Sequence, residues 1–125
     1  MSSIIDHTNT MMEQLKQGDF LSGMEQFYAD DAVNEEITGA KVVGRQAIIE
    51  NEKKVLEGVQ AFHSVTVHSV GGHETSPGNG VTFAEYSIRV DMKDGSPFNP
   101  DQVQVTTWKD GKASHIKFYY DPSQM

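Results

Sequence analysis

Apolar positions in the first third of the chain recur at helical spacing. Ile4, Ile5, Thr8, Met11, Met12 and Leu15 fall on one side of a helix. Gly18 suits its stop, and Asp19 suits the N-cap of a second helix. That helix carries Phe20, Met24, Phe27 and Tyr28 on one side and ends near Ala29-Asp30-Asp31. Residues 32–43 read as an irregular stretch with one or two small strands. Gly44 then opens a third helix, with Ile48, Val55, Leu56 and Val59 as its buried stripe and Glu50 and Lys54 as an i,i+4 pair.

The period then changes. Residues 62–70, 81–92, 102–109 and 114–120 are rich in β-branched and aromatic side chains and predict four long strands. Pro77-Gly78-Asn79-Gly80 and Asp94-Gly95-Ser96-Pro97 mark loops, and Asp110-Gly111 marks a two-residue hairpin turn. Helices first and an antiparallel meander afterwards give an α+β fold in one domain, residues 1–125.

Composition narrows the function. With 18 acidic and 10 basic residues the formal charge is -8, which repels nucleic acid and anionic lipid. The absence of cysteine excludes disulfides and thiolate metal sites. Apolar runs are far too short to span a membrane, and the first residues do not resemble a signal peptide. A cytoplasmic protein without cofactor, nucleic-acid or membrane partner is expected.

Several segments together resemble nuclear transport factor 2-like proteins of the SnoaL-like type. They are Gly18-Asp19-Phe20, residues 27–33, residues 43–48, Trp108-Lys109-Asp110-Gly111-Lys112 and Phe118-Tyr119-Tyr120-Asp121. The resemblance implies a cone-shaped, cystatin-like fold: three N-terminal helices packed in a curved antiparallel sheet, with a small-molecule pocket open at one end. The superfamily includes ketosteroid isomerases, polyketide cyclases, limonene epoxide hydrolases and non-catalytic modules, and the fold alone does not choose among them.

Strand parity decides which residues face that pocket. In residues 81–92 the even set is Ala84, Tyr86, Ile88, Val90 and Met92, and the odd set is Phe83, Glu85, Ser87, Arg89 and Asp91. Alternation alone puts the apolar even set in the core. The family register implies the reverse: Phe83, Glu85, Arg89 and Asp91 line the pocket, and the even face becomes outer surface covered by a homodimer partner. The same register implies that Val103, Val105 and Thr107 face inward from the next strand, and Ile116, Phe118 and Tyr120 from the last. Tyr28 joins this wall, while Trp108 and His115 fall outside.

Two chemistries follow from the resemblance. An isomerase reading places Glu36 at the base position with Glu35 beside it. Its oxyanion donors do not carry over, since Met11, Met12 and Val105 stand where donors are needed. A hydrolase reading uses Arg89-Val90-Asp91, but Phe118 stands where a second acid is needed. His63 and His68, five apart, face opposite ways on a regular strand, which argues against a metal site. The candidate catalytic residues are therefore Glu36, Arg89 and Asp91. The candidate ligand contacts are Tyr28, Phe83, Glu85, Val105, Thr107, Phe118 and Tyr120. Together they suggest a small-molecule-binding protein, a lyase, isomerase or hydrolase acting on an apolar oxygen-bearing compound. The alternative is a non-catalytic binding or assembly module, and whether the chain is an enzyme stays open.

Overall fold

A computed structural model describes residues 3–124. Helix α1 runs Ile4–Lys16. Ser3 and Asp6 form a reciprocal capping box at its start, satisfying backbone donors that a helix end leaves open. Helix α2 is only Ser22–Phe27. Asp19 still serves its entry, because its Oδ1 accepts from the backbone N–H groups of Leu21 and Ser22. The second helix thus starts later and ends earlier than expected. Tyr28 opens strand β1 (Tyr28–Glu35), which pairs with β2 (Lys41–Val43) through a turn. Two strands therefore separate α2 from α3 (Arg45–Glu57), as the expected one or two small strands allow, although β1 is longer and starts earlier than the stretch at 32–43.

In α3, Ile48 and Ile49 are buried, whereas Val55 is exposed and Val59 already belongs to the next strand. Glu50 meets Lys53 at 3.6 Å; the expected partner was Lys54. Strands β3 (Val59–Ser76), β4 (Asn79–Met92), β5 (Pro97–Phe98), β6 (Asp101–Lys109) and β7 (Lys112–Tyr120) follow. The β6–β7 turn is Asp110-Gly111, both with positive φ (52° and 80°), the geometry that twists with its flanking strands.

Among the described residues the strands form one sheet in the order β2-β1-β7-β6-β4-β3, with β5 beside β4. The sheet is mixed, because β1 runs parallel to β7. Four register shifts interrupt the β3–β4 ladder. Each adds a residue to one strand, bends it and tightens its twist, so a long hairpin can wrap around the helices.

The parity of β4 is the one that alternation alone predicts. Ala84, Tyr86 and Val90 are at most 4 % exposed, and Ile88 is buried with them. They pack with α1 residues Ile4, Met11 and Met12. Burying each large apolar side chain is worth about 2 kcal/mol. A one-residue slip would expose all of them, which decides the register. Arg89 and Asp91 consequently lie on the outer face, where water and surface partners satisfy their charges. Phe83 and Glu85 go with them, both exposed.

Cross-strand partners share a face, so β4 fixes its neighbours. Tyr86 pairs with Gln102, Ala84 with Gln104, Thr82 with Thr106 and Gly80 with Trp108. The inner residues of β6 are therefore the even ones, and the expectation that Val103, Val105 and Thr107 face inward is corrected. Gln104 pairs in turn with Phe118, Thr106 with Ile116 and Gln102 with Tyr120. Ile116, Phe118 and Tyr120 therefore do face inward.

Trp108, expected outside, is buried at 2 % exposure. Its indole N–H donates to Thr82 Oγ1 at 2.8 Å, and Thr8 Oγ1 lies 2.8 Å from the same atom. The His7 and Phe27 rings lie 5.6 and 6.1 Å from the indole. A polar handle explains how so large a ring sits in the core without an unpaired N–H.

Candidate functional site

The helices do not fill the sheet's concave side. A cavity of about 590 Å³ remains, within the range of small-molecule sites. Met11, Met12 and Leu15 of α1 and Val55 and Leu56 of α3 form one side. Tyr86, Ile88 and Val90 of β4, with Phe118 of β7, form the other. Phe20 and Phe62 also line it, their rings edge to face at 5.9 Å. Gly18 beside them has φ of +83°, a left-handed conformation that favours glycine.

Polar groups gather on the walls given by α3, the end of β1, β4, and the facing ends of β6 and β7. Glu36 sits just after β1, where its backbone bonds to Ala40 and Gly39 start the turn into β2. Glu52 projects from α3; both glutamates line the cavity. Glu52 is half-buried by area, but its carboxyl group is largely withdrawn from water. Burial, reinforced by the nearby charge of Glu36, pushes its pKa up to about 7. Burial first, and the neighbouring Glu36 carboxylate second, push the Tyr120 hydroxyl up to about 12. The Tyr28 and Tyr86 hydroxyls are raised further, by burial above all. Tyr86 Oη donates to Gln104 Oε1 at 3.0 Å and accepts from Gln102 Nε2 at 2.7 Å. Asn34 Oδ1 and Gln14 Oε1 are buried without a hydrogen-bond partner among the described residues, and both residues line the cavity.

This arrangement can move a proton. A carboxyl group titrating near neutrality beside a second carboxylate can accept or release one at physiological pH. The Tyr28 hydroxyl can donate to a charge developing on a ligand oxygen.

Of the residues expected at the site, Glu36, Tyr28, Phe118 and Tyr120 line the cavity. Phe83, Glu85, Val105, Thr107, Arg89 and Asp91 do not. Arg89 Nη2 donates to Asp101 Oδ1 at 3.0 Å, and its Nη1 reaches the backbone oxygen of Ile88 at 2.8 Å. Asp91 is bonded to His63 at 2.8 Å. The Arg-x-Asp pair is thus divided between two separate surface partners and cannot act together on water in the cone.

His63 and His68 both lie on the outer face, the latter against Ser87 at 2.8 Å. Each occupies an extra position at a register shift of β3, which is why simple alternation misplaced one of them. His115, expected outside, bonds Glu35 at 3.0 Å, and this bond chiefly holds that carboxyl below its ordinary value. No cluster of three or more His, Asp or Glu among the described residues is placed to hold a metal ion.

Glu52 was missed altogether. In the sequence it is one charge among several on a helix whose exposed face is rich in glutamate and lysine. Its distinguishing mark is an i,i+4 relation to Ile48 and Leu56 on the inward stripe.

The architecture defines an α+β cone: a mixed, curved sheet whose concave side is partly filled by helices and leaves a cavity between them. No protein-family model and no curated protein matches the chain by sequence. Solved structures do match. A Burkholderia pseudomallei protein, nuclear transport factor 2-like and of unknown function, superposes with a TM-score of 0.79 at 17 % identity, covering 100 % of this chain and 95 % of its own. A Mesorhizobium loti protein proposed to be a SnoaL-like polyketide cyclase gives 0.71 at 24 %, covering 95 % and 100 %. A proposed polyketide cyclase of Pseudomonas putida gives 0.77 at 11 %, covering 99 % and 96 %. The chain has the nuclear transport factor 2-like, SnoaL-like fold. Among the described residues no helix is long and apolar enough to cross a membrane.

Proposed function

We propose that the chain binds an apolar small molecule in the cone and moves a proton on it, in an isomerase- or lyase-type reaction. Glu52 is the group that takes or gives the proton. Glu36 and Tyr120 hold the neighbouring charge, and Tyr28 supplies a hydroxyl toward the ligand. The observation that carries this reading is the desolvated Glu52 carboxyl, set near a second carboxylate in a cavity whose lining is mostly apolar. The hydrolase route through Arg89 and Asp91 is withdrawn, because both lie outside.

The test is uptake of deuterium from solvent by compact bicyclic ketones, with and without a ring nitrogen. Proton removal next to the carbonyl is then read by mass spectrometry. Exchange by the wild type, reduced by about 100-fold or more in Glu52→Gln, is expected for loss of a general base. Exchange equal in both proteins ends the assignment of Glu52.

A second reading, a non-catalytic binding module, is favoured by one specific feature. The Tyr86 hydroxyl is already committed to Gln102 and Gln104, which leaves fewer donors free for a developing anion. Wild-type protein that binds such ketones without exchanging them supports that module.

The homodimer expected through Ala84, Tyr86, Ile88 and Val90 has lost that surface to the chain's own helices. It stands as a proposal on the outer face, where Val81, Phe83 and Tyr119 are exposed and Phe83 pairs with Val105. Sedimentation velocity is expected to show a dimer that Phe83→Lys dissociates; a wild-type monomer ends the proposal.

A further inference from the structure

Every ionisable carboxylate or base on the cone's wall has one sign. Glu36, just after β1, and Glu52, on α3, both line the cavity, together with Asp19 in the α1–α2 loop. None of the described residues lining it is Lys, Arg or His. The chain has 10 lysines and arginines, so their exclusion from this one surface is a property of the site.

The neutral polar groups lean the same way. The two buried side-chain atoms left without a hydrogen-bond partner among the described residues, Asn34 Oδ1 and Gln14 Oε1, are both acceptors, and both residues line this cavity. Gln14 turns its own donor away, to Gln26 Oε1 at 3.3 Å. The groups facing Glu52 are Glu36 beyond β1, Tyr28 at the start of β1 and Tyr86 on β4. None of them can bring a positive charge.

Unmatched acceptors call for a ligand that brings donors. Carboxylates without a cation call for one that brings positive charge. The surrounding rings of Phe20, Phe62, Phe118 and the tyrosines accept an apolar body on their edges and a cation on their faces. We infer that the ligand of the cone is an apolar amine, held as its ammonium ion by Glu36 and Glu52. A carboxylate or phosphate ligand would meet like charge. An alcohol would satisfy the acceptors but leave both carboxylates unbalanced. This inference rests on reading the cone as a ligand site and narrows the ligand; the bond-making step is untouched by it.

The test compares three molecules of one shape and different head groups: 1-aminoadamantane, 1-adamantanol and 1-adamantanecarboxylate. Binding is measured by calorimetry near pH 8 on the wild type, Glu52→Gln and Glu36→Gln, each first shown to be folded by its near-ultraviolet circular dichroism. The wild type is expected to hold the amine at least about tenfold more tightly than the alcohol, as a charge-assisted contact requires. Glu52→Gln is expected to weaken the amine about 30-fold and the alcohol by less than about twofold. Lowering the pH from about 8 to about 5.5 is expected to weaken the amine alone, because Glu52 then takes its proton.

Alcohol binding as tight as amine binding in the wild type leaves the ligand cavity standing and overturns the amine. Preference for the carboxylate overturns it as well. Failure of all three to bind removes the reading of the cone as a ligand site, and the amine with it.

Discussion

Glu52→Gln is expected to make the protein more stable at pH 8, not less. The carboxyl of Glu52 titrates near 7 in the folded chain, against an ordinary value of 4.5. Between those values the unfolded chain has released the proton and the folded chain still holds it. Folding is then linked to proton binding, and stability falls as pH rises through that window and levels off above it. A gap of this size corresponds to at most about 3 kcal/mol, which residual access to water reduces to about 2 kcal/mol. Glutamine has no such titration. Its curve should lie level with the wild type near pH 4.5 and above it by about 2 kcal/mol at pH 8. Urea unfolding at both pH values measures this. General self-repulsion of the acidic chain affects both proteins alike, so the difference isolates Glu52. Parallel curves would show that the carboxyl is solvated and would remove it from the site. A gain in stability together with a loss of proton exchange is the signature of a group kept for function against the interest of the fold.

Trp108→Ala is expected to cost the most of any single substitution, about 4 kcal/mol. The indole joins three elements at once: it lies tilted against His7 of α1 and edge to face with Phe27 of α2, and it bonds Thr82 of β4. Removing it leaves a large cavity and frees the rings around it. Trp108→Phe keeps most of the volume and loses the N–H, so a smaller cost of about 1–2 kcal/mol is expected. Thermal unfolding of both variants tests the pair. If the alanine variant unfolds like the wild type, the neighbouring helices can close the gap and Trp108 is not the fastening point.

Glu52 and Trp108 also mark where the sequence alone stops reporting the fold. The elements were legible because periodicity reports burial directly: the stripe through Ile4, Met11 and Met12 is the helix face that meets the sheet. The turns were legible because Asp110-Gly111 has few alternatives to a tight hairpin. The sheet's order was not, since nothing local in Tyr28–Glu35 announces a parallel pairing with residues more than 80 positions away. Strand parity was legible in β4 from its own alternation, and the family register led away from it. In β6 the local pattern misleads, because Val103 and Val105 are the greasier set while Gln102 and Gln104 go inside. They can do so because Tyr86 and Thr106 satisfy their amides, a compensation visible only once the strands are paired. The site was half legible for a related reason. Glu36, Tyr28, Phe118 and Tyr120 carry the family's pattern. The pairing of Glu36 with Glu52 depends on α3 lying against the end of β1, a tertiary fact.

The parallel pairing of β1 with β7 has a bearing on how the chain comes to be folded at all. Strand β1 at residues 28–35 has on one side only the three-residue β2, and its other neighbour is β7 at 112–120. The hairpins β3–β4 and β6–β7 can form early from nearby residues, but β1, with α3 packed against it, joins the sheet only when it docks beside β7. Closing so long a loop is slow compared with forming a hairpin. Until then Ala32 of β1 and Ile116 of β7, both fully buried in the folded chain, stay uncovered, the form most open to aggregation and to chaperone capture. Refolding should therefore be limited by this single long-range step, and substitutions in the β1–β7 seam should slow folding more than equally destabilising ones in the β3–β4 hairpin.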